Sequence, residues 1–273
     1  RALYRSADVV VNVCGAQEIR EEHADIRRLI YLQTDPVEEQ VRVAQGDAGL
    51  VRRLDAHHVH FTYGENLGAD DCGVPVVRYN WQPTRPPVVL DWWRDGPPTR
   101  PGTLTTVATW RHQGKDVFWA GQRWHWSKDR EFRRFLDLPP RSRLTLELAL
   151  GSITETEVSD LRARGWRVVP SVLDPDDYRA YIMESGGEFT AAKEQYVAPR
   201  SGWFSDRSAC YLAAGRPVVT QDTGFGTTLP LGEGLFAVST IDEAAAAVNA
   251  IASNPDRHSQ AAREIAREHF DAE

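Results

Sequence analysis

The chain has 273 residues, 39 of them acidic and 32 basic, for a formal net charge of −7. That length can bury a sizeable core and suits two domains of ordinary size, while the acidic balance argues against broad attraction to nucleic acid or anionic lipid. Cys14, Cys72 and Cys210 are odd in number and far apart, which argues against a disulfide framework or zinc knuckle and fits a reducing cytoplasm, and no apolar run approaches the roughly 18–20 residues that span a bilayer.

In chain order, residues 1–6 read as the end of a helix and 8–14 as a buried strand rich in valine. A chain that opens in mid-pattern predicts a missing N-terminal segment and an incomplete first domain. The charged stretch 18–28 predicts a helix, 29–32 a strand, 34–36 a polar turn, 46–56 a helix and 59–62 a strand; this alternation predicts a parallel sheet covered by helices. The proline-rich run 80–87 lacks either periodicity and reads as a connection between domains. The pattern then restarts: a strand at 103–109, a hairpin over 117–126 turning at Ala120 and Gly121, a helix at 128–136, a strand at 144–150, a helix at 155–164 stopped by Gly165, a strand at 166–169 and a helix at 177–184. Ser205 is placed to N-cap a helix that ends at Gly215, a short strand follows at 217–220, and 242–252 and 256–270 are strongly helical. The domain reading is therefore 1–87, 88–255, and a last helix at 256–273 that crosses back toward the first domain.

The segment from Ser201 through Gly202, Ser205, Asp206, Arg207 and Ser208 has the parts of an anion site at the carboxyl edge of a sheet. Gly202 lets a ligand come close to the backbone, and the helix start offers free N–H groups. Arg207 adds a guanidinium fork and Lys193 a second cation. The bland alternative is a well-capped helix with a glycine stop. The run Ser205-Asp206-Arg207-Ser208-Ala209-Cys210-Tyr211-Leu212-Ala213-Ala214-Gly215-Arg216-Pro217-Val218-Val219-Thr220 resembles the donor-site helix of GT-B glycosyltransferases, whose common pattern is Glu-Ala-x-Ala-x-Gly-x-Pro-Val-Val. More widely, residues 187–224 and Thr240-Ile241-Asp242-Glu243-Ala244 resemble bacterial family-1-like enzymes, including the spore-coat glycosyltransferase-like branch, most strongly over 185–270.

The resemblance implies an α/β protein of two Rossmann-like domains facing a cleft. It would move a sugar from a nucleotide-diphosphate sugar, held mainly by the second domain, to an acceptor on the first, without an essential metal. It also places donor contacts at Arg111. One departure stands out: many relatives carry a glutamate five positions before the helix-ending glycine, to hold the ribose, and this chain has Cys210, which cannot accept two hydroxyl bonds as a carboxylate does. Asp206 or Asp222 then takes over that role, or the nucleotide is held in another way. In the first domain, Asp35 and Glu65 follow strands and are the candidate bases for an acceptor hydroxyl, against the plainer reading as turn or helix caps. His57, His58 and His60 read as structural, with His58 and His60 on one face, and Trp110 reads as one aromatic cluster with Trp119, Trp124 and Trp126. Arg207→Ala is expected to weaken nucleotide binding without unfolding. The rival readings are a GT-B-like binding protein that has lost catalysis and a sugar-nucleotide epimerase of GT-B-like form.

Overall fold

The computed structural model describes residues 2–23, 26–94 and 96–273. It contains two parallel sheets and a small hairpin. The first half comprises α1 (Ala2–Ser6), β1 (Val10–Val13), β2 (Leu29–Gln33), α2 (Glu38–Ala44), α3 (Ala48–Asp55), β3 (Val59–Thr62) and β4 (Trp81–Pro83), with strand order β1-β2-β3-β4. Tyr31, His60 and Thr62 turn toward the helices and are buried with Leu50 and Leu54. On the opposite face Val11, Val13 and Val59 are exposed and Ile30, Leu32 and Phe61 half-buried, although parallel sheets are ordinarily covered on both sides.

The second half runs β5 (Arg100–Thr109), the hairpin β6 (Val117–Trp119) and β7 (Gln122–Trp124), α4 (Asp129–Phe132), β8 (Thr145–Gly151), α5 (Glu155–Ala163), β9 (Arg167–Pro170), α6 (Pro175–Glu184), β10 (Ser185–Thr190), α7 (Glu194–Val197), α8 (Asp206–Ala213), β11 (Val218–Gln221), β12 (Leu235–Val238), α9 (Ile241–Ser253) and α10 (Pro255–His269). Its strand order is β12-β11-β10-β5-β8-β9, all parallel. Strands after β5 build outward on one side of it and those from β10 onward on the other. The order therefore reverses between β5 and β10, and the crevice above such a switch point is where open α/β sheets bind ligands. One core, on the side of α4, α5 and α9, gathers Phe132, Phe135, Leu161, Trp166 and Val248; the other, beneath α8 and α10, gathers Phe204, Leu212, Ile265 and Phe270.

Several expected elements differ. Residues 18–28 form no long helix: the described part holds only a 3-10 turn at Glu21–His23, and Ala24 and Asp25 lie outside the described residues. The helix expected over 128–136 is a single α-turn followed by a 3-10 turn at Arg133–Phe135. The connection 80–87 contributes the edge strand β4, and α2, β10 and β12 were not anticipated. Trp110 does not join the hairpin tryptophans; it packs on Phe132 at 5.5 Å, while Trp124 and Trp126 sit in a separate cluster with Tyr196. His57 and His60 are the buried pair and His58 the exposed one, reversing the expected faces; His57 Nδ1 meets Arg53 O and His60 Nε2 meets Leu54 O, both at 2.9 Å.

Candidate functional site

A cleft of about 450 Å³ opens over the β5/β10 switch point. The first half lends Thr34 and Asp35, beyond β2, and Tyr63, beyond β3. The second lends Val107 to Thr109 at the end of β5, the loop residues His112, Lys115, Trp126 and Lys128, and Lys193, Trp203, Ser205, Asp206 and Arg207. Every contributor lies at or just past the carboxyl end of a strand or at the start of α8.

The two halves are hitched together beside this cleft. Asn66 N donates to Ser201 O at 3.2 Å, Gly73 N to Pro199 O at 2.8 Å, and Trp203 Nε1 to Thr34 O at 3.0 Å. Gly202 lies against Asn66: a Cβ there would sit 2.3 Å from Asn66 N, and its φ is +77°. The hydroxyl of Ser201 is buried against Tyr196 O. Ser201 and Gly202, expected at the ligand, thus face the neighbouring loop instead, and glycine is required there by a chain-to-chain approach.

Arg207 also differs from expectation. It lines the cleft, but its Nε meets Glu188 Oε1 at 2.5 Å, Nη1 donates to Val107 O and Nη2 to Thr190 Oγ1. Burial pushes its pKa down, yet the Glu188 carboxylate outweighs this and the net shift is upward. The second Glu188 oxygen accepts from Ser208 Oγ at 2.6 Å, which turns Ser208 away from the cleft. Ser205 stands at the N-cap of α8 without a side-chain capping bond; Asp206 Oδ1 accepts from Arg207 N at 2.8 Å. Cys210 packs at the core edge, where burial pushes its thiol up to about 12.

Other expected residues lie apart. Arg111 pairs with Glu157 at 2.8 Å, off the cleft lining. Asp222 holds Gly224 N and Arg200 beside a different depression. Glu65 is held by both arms of Arg85, at 2.6 and 2.8 Å, in a groove near His269, so its carboxylate does not reach the cleft.

Asp35 and Lys193 are brought together across the two halves. Lys193 Nζ lies 3.4 Å from Asp35 Oδ1 and 3.2 Å above the Trp126 ring, and the Tyr196 hydroxyl donates to the same carboxylate oxygen. Burial lowers the Lys193 ammonium to about 8, against the opposing pull of Asp35. Two residues beyond Asp35, Val37 takes φ 91°, which a β-branched residue adopts only at a cost; Gln40 Oε1 accepts Val37 N at 2.7 Å and holds it there.

Lys128 was missed. It is 8% exposed, lines the cleft, and its ammonium reaches only Thr190 Oγ1, at 3.5 Å, the outer limit of a hydrogen bond. Among the described residues no carboxylate lies within ion-pair distance of it. Burial, and then the charge of Arg207, push its pKa well below the ordinary lysine value. A signal was present in the composition: the chain has three lysines against 29 arginines, and Lys115, Lys128 and Lys193 all line this cleft.

No family model matches the chain, and no curated protein matches it in sequence. Solved structures do match in shape. The chain is similar to HepE (Alr3699) of Anabaena in complex with UDP and glucose, at TM-score 0.55 and 13% identity over 99% of this chain and 76% of that one. It is similar to an alpha-glucosyltransferase in complex with UDP-glucose and DNA containing an abasic site, at TM-score 0.57 and 10% identity over 99% and 79%. A sucrose-phosphate synthase from Thermosynechococcus elongatus matches at TM-score 0.56 and 14% identity over 89% and 64%.

Proposed function

We propose, from the GT-B fold that this chain shares with those glycosyltransferases, two Rossmann-like domains facing one cleft, that it transfers a sugar from a nucleotide-diphosphate sugar. The observation that carries the reading is the buried, counter-ion-poor Lys128 in a crevice at the strand switch point. The donor diphosphate would lie toward Lys128 and Lys193, with the start of α8 beside it. Fixed cations in a closed cleft offset the charge that develops on a departing nucleoside diphosphate, and we propose that they do so here without a metal. Asp35 is the carboxylate the first half presents to the cleft, and we assign it the acceptor side; Glu65 falls away as a base because Arg85 occupies it. The division between domains is proposed at residue 87, and the protein is proposed to be bacterial and cytoplasmic.

The relatives' bound UDP and UDP-glucose make uridine diphosphate sugars the first donors to try. Calorimetric titration with a panel of nucleoside diphosphate sugars in EDTA, followed by donor hydrolysis without acceptor, tests the reading. Binding by one nucleotide class and slow hydrolysis, reduced about tenfold or more by Asp35→Asn, is expected. Absence of binding by the whole panel would remove the donor proposal, and binding without hydrolysis would favour a binding protein, the reading that Cys210 in place of a ribose-holding glutamate also fits.

A further inference from the structure

All positive side chains outside the cleft are arginines or histidines; the three lysines are confined to its lining. Arginine keeps its proton under all ordinary conditions, whereas a lysine can surrender one when buried. Of the three, Lys115 reaches Glu38 at 3.9 Å and Lys193 reaches Asp35, while Lys128 has no carboxylate in range among the described residues. We propose that an anion entering the cleft is captured by Lys128 together with a proton from solvent, so that anion binding and protonation of this lysine are one event. The natural anion rests on the donor reading above, as the diphosphate of a nucleotide sugar; the coupled capture does not.

Among the described residues, the groups around Lys128 leave no carboxylate within ion-pair distance of it. From β10, the Glu188 charge favours the ammonium, but its carboxylate is taken up by Arg207 Nε, Ser208 Oγ and Thr106 Oγ1, and Thr190 Oγ1 already accepts from Arg207 Nη2. From the α8 side, Arg207 opposes a second positive charge and Asp206 favours it; Lys193 opposes it as well. On the lysine's own element, Asp129 accepts from Ser127 Oγ and faces Arg111 and Arg133, while Glu131 accepts from Gln221 and Arg134. Burial and Arg207 therefore bias Lys128 toward the neutral amine, and an arriving anion supplies the counter-charge that the site lacks. The step balances as free amine, one solvent proton and one anion giving an ammonium–anion pair, with no other bond made or broken.

Three lysines make the test direct. The full chain, labelled with 13C at lysine Cε, is titrated from about pH 5 to 11 with and without sulfate, an anion that does not itself titrate in that range. Signals are assigned by loss in Lys128→Met and Lys193→Met or, if the first does not fold, by elimination with Lys115→Arg and Lys193→Arg. The Lys128 signal is expected to titrate well below the ordinary lysine value of 10.5 and to move up by ~1 unit or more in sulfate. A Lys128 signal that titrates at the ordinary lysine value, or a midpoint that sulfate leaves unmoved, overturns the proposal. Calorimetry with UDP-glucose and the rest of the nucleotide-sugar panel, in buffers of different ionisation enthalpy, separates the two readings. Movement in sulfate with no nucleotide sugar bound leaves the anion capture standing and sinks the donor assignment. Nucleotide-sugar binding without proton uptake, beside an unmoved Lys128, does the reverse.

Discussion

Removing the Arg207 guanidinium leaves the fully buried Glu188 carboxylate without its counter-ion, and breaking one side of a buried pair costs about 3–5 kcal/mol. Arg207→Ala is therefore expected to lower the urea midpoint sharply, contrary to the expectation from sequence that it would act on binding alone. Double substitution of Arg207 and Glu188 by methionine should recover much of the loss, and equal instability of the single and double variants would refute the assignment. Lys193 carries a pH signature. Its folded value of about 8 lies below the ordinary 10.5, so between those values the unfolded chain binds more protons and stability rises with pH. Urea midpoints between about pH 8 and 9.5 should climb less steeply in Lys193→Met than in the parent, with Lys128 contributing in the same direction in both. An identical slope would contradict a depressed Lys193.

At the scale of elements, β10 is the strand on which the cleft is hung, and its sequence, Ser-Gly-Gly-Glu-Phe-Thr, has the composition of a loop. The glycines are there for proximity: a Cβ on Gly186 would lie 2.2 Å from Pro101 O and one on Gly187 2.6 Å from Pro217 O. Gly186→Ala must part β10 from β5, and a loss of about 1–3 kcal/mol, read as a melting point several degrees lower, is expected. An unchanged melting point would mean that the strands yield freely. Strand β10 was illegible because propensity speaks of local conformation while these residues answer to neighbours far along the chain. Helix α2 was hidden for a related reason: it has only seven residues, with two valines and a buried glutamine. By contrast α5 and α9 were readable, because Thr154 with Glu157 and Thr240 with Glu243 form capping boxes within four residues of sequence.

Across the whole molecule, the joint between the halves runs through Gly202, where a side chain would strike the Asn66 backbone. Gly202→Ala should cost roughly 2 kcal/mol or more through its positive φ and this clash. It should also expose the 64–73 and 199–203 segments to limited proteolysis before either sheet melts; cleavage no faster than in the parent would show that the halves hold together elsewhere. The GT-B fold, the two strand-and-helix halves and the place of α8 at the cleft were all determined by the sequence. Hydrophobic periodicity, glycine stops and a local motif are carried by residues close together in the chain. Which side chains face the cleft was decided only by the tertiary structure. Arg207 and Lys128 look alike as isolated cations, and what separates them is Glu188, which forms an ion pair with one and not with the other. Likewise Glu65 and Asp35 both follow strands, but Arg85 closes around Glu65 while Lys193 and Tyr196 hold Asp35 at the cleft. Such distinctions depend on pairings between residues 19 to 161 positions apart, which neither residue's own neighbourhood encodes.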